Sequence, residues 1–366
     1  MSETAEKLTR IRKYLSAKKL DGIILSSRAN FAWLSGGADN HVVSQSEKGV
    51  GALVVTPKQA LVIANKIEIE RLSHEEPLSG FTAKSFPWME PLGEALPKIL
   101  TGKKFAADDA AATGFPELPP DFVASVRASL TEHEIRRYKA LGRDCSVVME
   151  TVARQVQKGD SEHQVEADIA RHLLARGIQP YLVLVAFDQR VEKYRHPVPT
   201  ANHLRTHALI VVCGQRGGLI ANLSRCVHFG PISPDLLARH QATCTVEGAL
   251  WDATVPGKTW GDALSAGIAM YKTVGHAKEW ELHHQGGPTG YTGRDLIATP
   301  DSSEKIQDKQ AVAWNPSITG TKSEDTFIVD GDKRVVLTAC SPDWPTVTVK
   351  VPKGGTHVRP GILVRA

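Results

Sequence analysis

The sequence predicts an α/β (α+β) protein of two domains, an N-terminal one at residues 1–125 and a C-terminal one at residues 131–366. Its 366 residues exceed what one hydrophobic core usually organises, since domains of about 150 residues are typical. Helical and strand-like patterns alternate over the first hundred residues. Residues 112–121, ATGFPELPPD, are rich in Pro and Gly, which interrupt helices and central strands, so this segment is predicted to be part of the linker.

The N-terminal elements follow from apolar spacing. Apolar residues at helical intervals predict a helix over residues 5–20, and the apolar run after Asp21-Gly22 predicts a strand over residues 23–26. Two more strands are predicted at residues 52–55 and 60–63, joined by the turn TPKQ.

Capping signals define two helices at the start of the C-terminal domain. Thr131 followed by Glu134 is typical of a capping box and predicts a long amphipathic helix through about Val156. Ser161 followed by Gln164 predicts a second helix, which ends where Gly177 can adopt the left-handed conformation.

The composition is that of an ordinary globular protein, with 42% hydrophobic and 23% charged residues. The formal charge is +4 with scattered basic residues, so no nucleic-acid partner is expected. The N-terminus lacks the apolar core of a secretory signal, and no apolar run approaches the roughly 20 residues of a membrane span. We therefore expect a cytoplasmic protein without a membrane partner.

Five cysteines without a C-x-x-C pair argue against a disulfide framework or a structural zinc site.

Several short motifs occur in a particular order. SRANFAWLSG at residues 27–36 is followed by the two capped helices and then by four blocks: YRHP at 194–197, the strand-like residues 209–225, HHQGG at 283–287, and WNP at 314–316 with SEDT at 323–326. This ordered set resembles the creatinase/aminopeptidase P (M24) superfamily. The resemblance implies a creatinase-like N-terminal α/β domain and a C-terminal pita-bread domain, in which helices cover a curved antiparallel sheet.

Superfamily metallopeptidases bind two divalent metals through Asp, Asp, His, Glu and Glu, and the resemblance assigns each ligand a position here. In that order the positions are Val211 (or Cys213), Asn222, His284, Asn315 and Glu324. Only His284 and Glu324 keep the required residue type. One imidazole and one carboxylate do not normally hold two divalent ions. The expectation is therefore no metal cofactor, with a single divalent ion at His284 and Glu324 left open.

The resemblance also assigns candidate site residues. His196 is the predicted acid/base, because a histidine with its ordinary pKa near 6.5 exchanges protons near neutral pH without a metal. His284 and Glu324 are predicted to assist it. If residues 283 and 284 lie on a strand, only one of the two histidines can face the site, and the resemblance selects His284. The predicted substrate-binding residues are Asn222, Asn315, Tyr291, Gln285, Arg225 and Cys213.

Three kinds of function remain open at this stage. The leading interpretation is a metal-independent, creatinase-like hydrolase acting on a C–N bond of a small polar molecule, or a lyase using the same base. The second is an Xaa-Pro-type metallopeptidase whose altered metal site uses His284, Glu324 and Cys213. The third is a non-catalytic pita-bread binding protein.

A homodimer is the expectation by resemblance. Superfamily members often complete one subunit's site with the neighbour's N-terminal domain. The predicted inter-subunit contacts are Trp33, Asp39, Asn40 and His41.

Overall fold

A computed structural model describes residues 2–366 of the chain, which divide into two compact units. The first unit is Met1–Glu134 with Gly217–Leu219, and the second is Ile135–Arg216 with Ile220–Ala366. The predicted division at residues 125–131 precedes this boundary.

The first unit contains a five-stranded mixed sheet with short helices. Its helices are α1 (Glu3–Lys18), α2 (Arg28–Ser35), α3 (Ile69–Glu75), α4 (Leu92–Ile99) and α5 (Ala110–Thr113), followed by a π-helical turn (Val123–Arg127). Its strands are β1 (Gly22–Ser27), β2 (Lys48–Val55), β3 (Ala60–Asn65), β4 (Thr82–Phe86) and β5 (Phe105–Ala107). The strand order is β4-β3-β2-β1-β5, and the central strands β1, β2 and β3 pair antiparallel.

Strand formation here follows from burial of the apolar runs. Ile24, Val54 and Ile63 are fully buried in one cluster with Phe105, which explains why the predicted helix–strand–hairpin pattern is found. Ser2 begins α1 by accepting a hydrogen bond from the amide of Ala5.

Two of the four predicted inter-subunit residues are packed inside the first unit. Trp33 and Asn40 are fully buried, and the Asn40 amide donates to the carbonyls of Ser26 and Gly51. Those two predictions are wrong, because both side chains are packed in the interior of the first unit.

The second unit carries the longer helices and two four-stranded sheets. Its helices are α6 (Glu132–Gln155), α7 (Glu162–Leu174), α8 (Gln189–Lys193), α9 (Pro234–Ala253) and α10 (Trp260–Thr273), followed by a 3-10 turn (Glu279–Leu282). Its strands are β6 (Gln179–Phe187), β7 (His207–Arg216), β8 (Leu219–Phe229), β9 (Gly286–Pro288), β10 (Ala311–Trp314), β11 (Ser317–Ile318), β12 (Thr321–Lys322), β13 (Asp325–Asp330), β14 (Lys333–Val336), β15 (Thr346–Lys350), β16 (Thr356–Pro360) and β17 (Leu363–Arg365).

The two larger sheets of this unit have the orders β17-β8-β7-β6 and β14-β13-β10-β9. Strand β8 is buried along its whole length, and α9 packs beside α10 over a core that includes Trp260 and Trp314, whose rings lie 5.8 Å apart. An isolated bridge pairs Ser224 of β8 with Glu324, just before β13. This bridge brings two segments that are 100 residues apart in sequence into the same site.

The predicted caps form. Ser161 and Gln164 bond reciprocally at the start of α7, and the side chains of Thr131 and Glu134 each bind the other residue's amide at the start of α6. All five cysteines are free, and four of them are buried. No helix among residues 2–366 is long and apolar enough to span a bilayer.

Candidate functional site

Three imidazoles meet at one point of the second unit. His196 follows α8, while His283 and His284 follow the 3-10 turn and precede β9. The Nε2 atoms of His196 and His283 lie 3.0 Å apart. The ring centroids of His196 and His284 are separated by 5.5 Å. One ring nitrogen from each residue falls within a group no more than 4.8 Å across.

The prediction that only one of the two adjacent histidines faces the site is wrong. His283 and His284 precede β9 and are not part of it, so the alternation of side chains along a strand does not apply. Their rings stack with centroids 4.5 Å apart, and both approach His196. Hence His283 is a member of the site that the sequence did not identify.

All three imidazoles are held neutral. Burial, with Arg294 as the next cause, lowers the pKa of His284 to about 4. Burial and then the ammonium of Lys322 lower the pKa of His283 and of His196. At neutral pH each ring therefore carries a lone pair, which can accept a proton or bind a metal ion.

Glu324 lies beside the imidazoles in a buried ion cluster. Its carboxylate accepts from Arg294 at 2.9 Å and from the Ser224 hydroxyl at 2.6 Å, and the Lys322 ammonium is 3.3 Å away. Burial alone would raise the pKa of Glu324, but Lys322 and Arg294 hold it below its ordinary value. Arg294 and Lys322 are thus the salt-bridge partners of Glu324.

Arg225 belongs to a different network. Its guanidinium donates to Asp325 at 3.0 Å and to the Thr338 carbonyl at 2.9 Å. Arg359 in turn bonds both Asp325 and Glu247, so two arginines balance two carboxylates. Arg225 is thus bonded to buried groups of the fold. None of these contacts supports its predicted role in substrate binding.

The two asparagines that the resemblance places at metal-ligand positions are buried and incompletely bonded. Asn222 Nδ2 donates to Thr289 at 3.1 Å. Neither Asn222 Oδ1 nor Asn315 Oδ1 has a hydrogen-bond partner among the described residues. Because buried acceptors are nearly always satisfied, these oxygens fit the prediction that the asparagines bind polar groups of a ligand.

The other predicted substrate contacts have partners within the fold. Gln285 bonds the Tyr271 hydroxyl at 2.8 Å and the Trp280 carbonyl at 3.2 Å, so its amide holds the histidine segment in place. The Tyr291 hydroxyl accepts from Arg137 at 3.2 Å. Burial raises the pKa of the Cys213 thiol to about 12, so the thiol is protonated at neutral pH when no metal ion is bound to it.

Arg294 is the residue of the ion cluster that sequence reasoning missed. It lies in an irregular segment 30 residues before its partner Glu324, and no motif of the sequence includes it. Only the fold brings the two together. For His283, by contrast, the HHQGG motif contained the signal, but a strand was assumed there.

Two family models together cover most of the chain. The model described as Creatinase/Prolidase N-terminal domain matches residues 7–143, and that of metallopeptidase family M24 matches residues 136–336, more than half of the chain. These matches confirm the resemblance to the creatinase/aminopeptidase P superfamily.

Individual relatives are distant. The Xaa-Pro dipeptidase of Lactobacillus delbrueckii subsp. lactis is 22% identical over 247 residues, a match that covers 63% of this chain and 65% of that protein, less than two thirds of its length. A solved Xaa-Pro dipeptidase from Bacillus anthracis superposes with a TM-score of 0.77 at 17% identity, covering 99% of this chain and 100% of that one. The N-terminal domain of a FACT complex subunit from Cicer arietinum (chickpea) gives a TM-score of 0.64 at 15% identity over 92% and 97% of the two chains.

Both structural likenesses concern the fold, because their sequence identities are low. They confirm the predicted α/β architecture of a creatinase-type N-terminal domain followed by a pita-bread domain. Since the family model spans more than half of the sequence, the chain belongs to metallopeptidase family M24.

Proposed function

We propose that this chain hydrolyses the C–N bond of a small peptide of the Xaa-Pro type, at an M24 site whose ligands have changed. Membership of the family and the similarity to proteins named Xaa-Pro dipeptidases support the reaction class. They support this alternative better than the leading expectation of a metal-independent enzyme for another small polar molecule. The observation that carries the proposal is the cluster of three neutral imidazoles beside Glu324.

The residues present do not fit the two divalent ions of the family. Asn222 and Asn315 supply no charge, and neither Val211 nor Cys213 is a carboxylate. The carboxylate of Glu324 is already bonded to two cations and a hydroxyl. Since several anionic oxygens are needed to offset the dehydration of such ions, no catalytic step here is assigned to a two-metal centre.

The altered alternative that uses His284, Glu324 and Cys213 has little support for the same reasons. The Glu324 carboxylate is bonded to cations, and the Cys213 thiol is buried. The prediction that His196 is the acid/base without a metal, assisted by His284 and Glu324, stays a prediction.

The side chains of the site can divide the work of amide hydrolysis. Water attacks the carbonyl carbon, the C–N bond breaks, and the proton released by water ends on the leaving nitrogen. His196 is the exposed imidazole of the three, so it is placed to meet water and to return the proton to the amine. The unpaired oxygens of Asn222 and Asn315 can accept N–H groups of the peptide.

The test is cleavage of Xaa-Pro dipeptides. The full chain is incubated with glycyl-proline and alanyl-proline, and release of free proline is measured. We expect turnover that falls about 100-fold or more in His196→Ala, because the exposed imidazole is lost. His163→Ala, which removes an exposed histidine of α7, serves as the matched control.

Two results would contradict the proposal. One is that neither dipeptide is cleaved under any metal supplementation. The other is equal activity of His196→Ala and wild type. A non-catalytic binding protein, the third interpretation, predicts the first of these results.

A further inference from the structure

The imidazole cluster has the arrangement of a mononuclear metal site. Nitrogens that each lie about 2.1 Å from a tetrahedral zinc ion are about 3.4 Å from one another. His196 Nε2 and His283 Nε2 are 3.0 Å apart. Since all three ring nitrogens fall within 4.8 Å, modest rotation of the imidazoles would bring them onto one ion.

The second observation is an unpartnered imidazole atom. His283 is only 8% exposed, and its Nδ1 atom has no hydrogen-bond partner among residues 2–366. His284 Nδ1 is buried in the same condition. Buried polar atoms without partners are uncommon in folded proteins. A bound ion would satisfy one ring nitrogen of each histidine, and His284 Nδ1 is a nitrogen that has no other partner among the described residues.

The charges around the cluster are compatible with one divalent ion but not with two. Lys322 and Arg294 oppose any added positive charge, yet both are paired with Glu324, which reduces their repulsion. Neutral imidazoles need not lose protons before binding a metal. Three histidines with an open fourth position are a known catalytic zinc arrangement.

We infer that His196, His283 and His284 bind a single divalent cation of the zinc type, in place of the two ions of the family. The ligand set is different from the family's, because two of its three members, His196 and His283, lie outside the five positions that the resemblance assigns. Such an ion would supply a Lewis acid and an activated water at neutral pH. With the ion bound, His196 would be a ligand and its lone pair would not be free to act as a base, so the proton of the attacking water would pass to the leaving nitrogen without it. The inference deepens the proposed function and rests on it only for this catalytic role.

Metal binding is tested without substrate. The full chain is freed of metal with a chelator, dialysed, and titrated with zinc sulfate in a calorimeter. We expect one equivalent to bind. His283→Ala and His196→Ala should each weaken binding at least tenfold, and His163→Ala should leave it unchanged. Because His283 is buried and its variant could misfold, the exposed His196→Ala keeps the test decisive.

Cobalt provides a second readout. Cobalt sulfate added to the metal-free chain should give the intense visible absorption of a tetrahedral ion with nitrogen ligands, and this absorption should vanish in His196→Ala. No zinc binding, two equivalents, or binding that is unaffected by both histidine substitutions would overturn the inference. A chain that binds one zinc yet cleaves no Xaa-Pro dipeptide would retain this site and lose the proposed function. Cleavage that persists without bound metal would support the proposed function and overturn the catalytic role of the ion.

Discussion

Glu324 stands at a position where the resemblance expects a carboxylate ligand, and two cations lie beside it. Arg294 and Lys322 provide the positive charge beside it. An ion cluster of this kind is strongly destabilised when one partner is removed, because the charges that remain are buried without compensation.

Substitution of Glu324 tests this reading. Glu324→Gln leaves both Arg294 and Lys322 without an anionic partner, and we expect it to lower the free energy of unfolding by about 3 to 5 kcal/mol. The double variant Glu324→Gln, Lys322→Met should be less destabilised than the sum of the two single variants, because one uncompensated charge is gone. Denaturant unfolding measures all three. Strict additivity would show that the carboxylate and the ammonium do not interact.

The lowered pKa of His284 predicts a dependence of stability on pH. In the folded chain His284 takes up a proton only near pH 4, whereas in the unfolded chain it does so near pH 6.5. The unfolded state therefore binds more protons between these values, and stability falls as the pH drops through that range. Because His284 is partly exposed, its share should not exceed about 2 kcal/mol.

Denaturant unfolding of the metal-free chain at pH 7.5, 6 and 5 measures this share. His284→Asn should reduce the loss of stability between pH 7.5 and 5. Burial also lowers the pKa of His207 to about 4. Its share of the pH dependence is the same in the wild type and in His284→Asn, because both proteins contain it. An identical pH dependence in the variant would contradict the assignment.

At the scale of elements, the site depends on the short strand β9, which follows the histidine pair. Gly286 has a φ of 98°, and a Cβ at this position would lie 2.2 Å from the Ala313 carbonyl oxygen of the neighbouring strand β10. Glycine is therefore required here by both conformation and close approach.

Gly286→Ala should destabilise the chain by more than the 1 kcal/mol or so that a left-handed alanine costs elsewhere. Gly159→Ala is the matched control, since Gly159 has a φ of 94° and a Cβ added there would meet no atom within 4 Å. Thermal unfolding compares the two variants. An equal loss of thermal stability in both variants would mean that the close approach of β9 to β10 at Gly286 adds no cost.

Elements with strong local signals could be predicted from the sequence. The capping box of Ser161 and the apolar runs of β1 and β3 found their expected structures, because hydrogen bonds and burial over a few residues decide them. The histidine pair did not, because β9 begins only at Gly286, after both histidines.

At the scale of the whole molecule, the site assembles from five separated segments: the residues after α8, strand β8, the region from the 3-10 turn to Arg294, Asn315 after β10, and the end of β12 with Glu324. The resemblance located most of these segments. It could not predict that Arg294 would reach Glu324, or that Arg225 would turn to Asp325 instead. Such pairings depend on side-chain directions that only the three-dimensional fold determines.

A site for a single ion, in place of the family's two-metal centre, can be checked by elemental mass spectrometry. The protein is purified tag-free and without chelator from cells supplied with zinc, manganese, iron and cobalt. We expect about one metal ion per chain, and its loss in His283→Ala. Two ions per chain, or none at all, would refute the single-ion site.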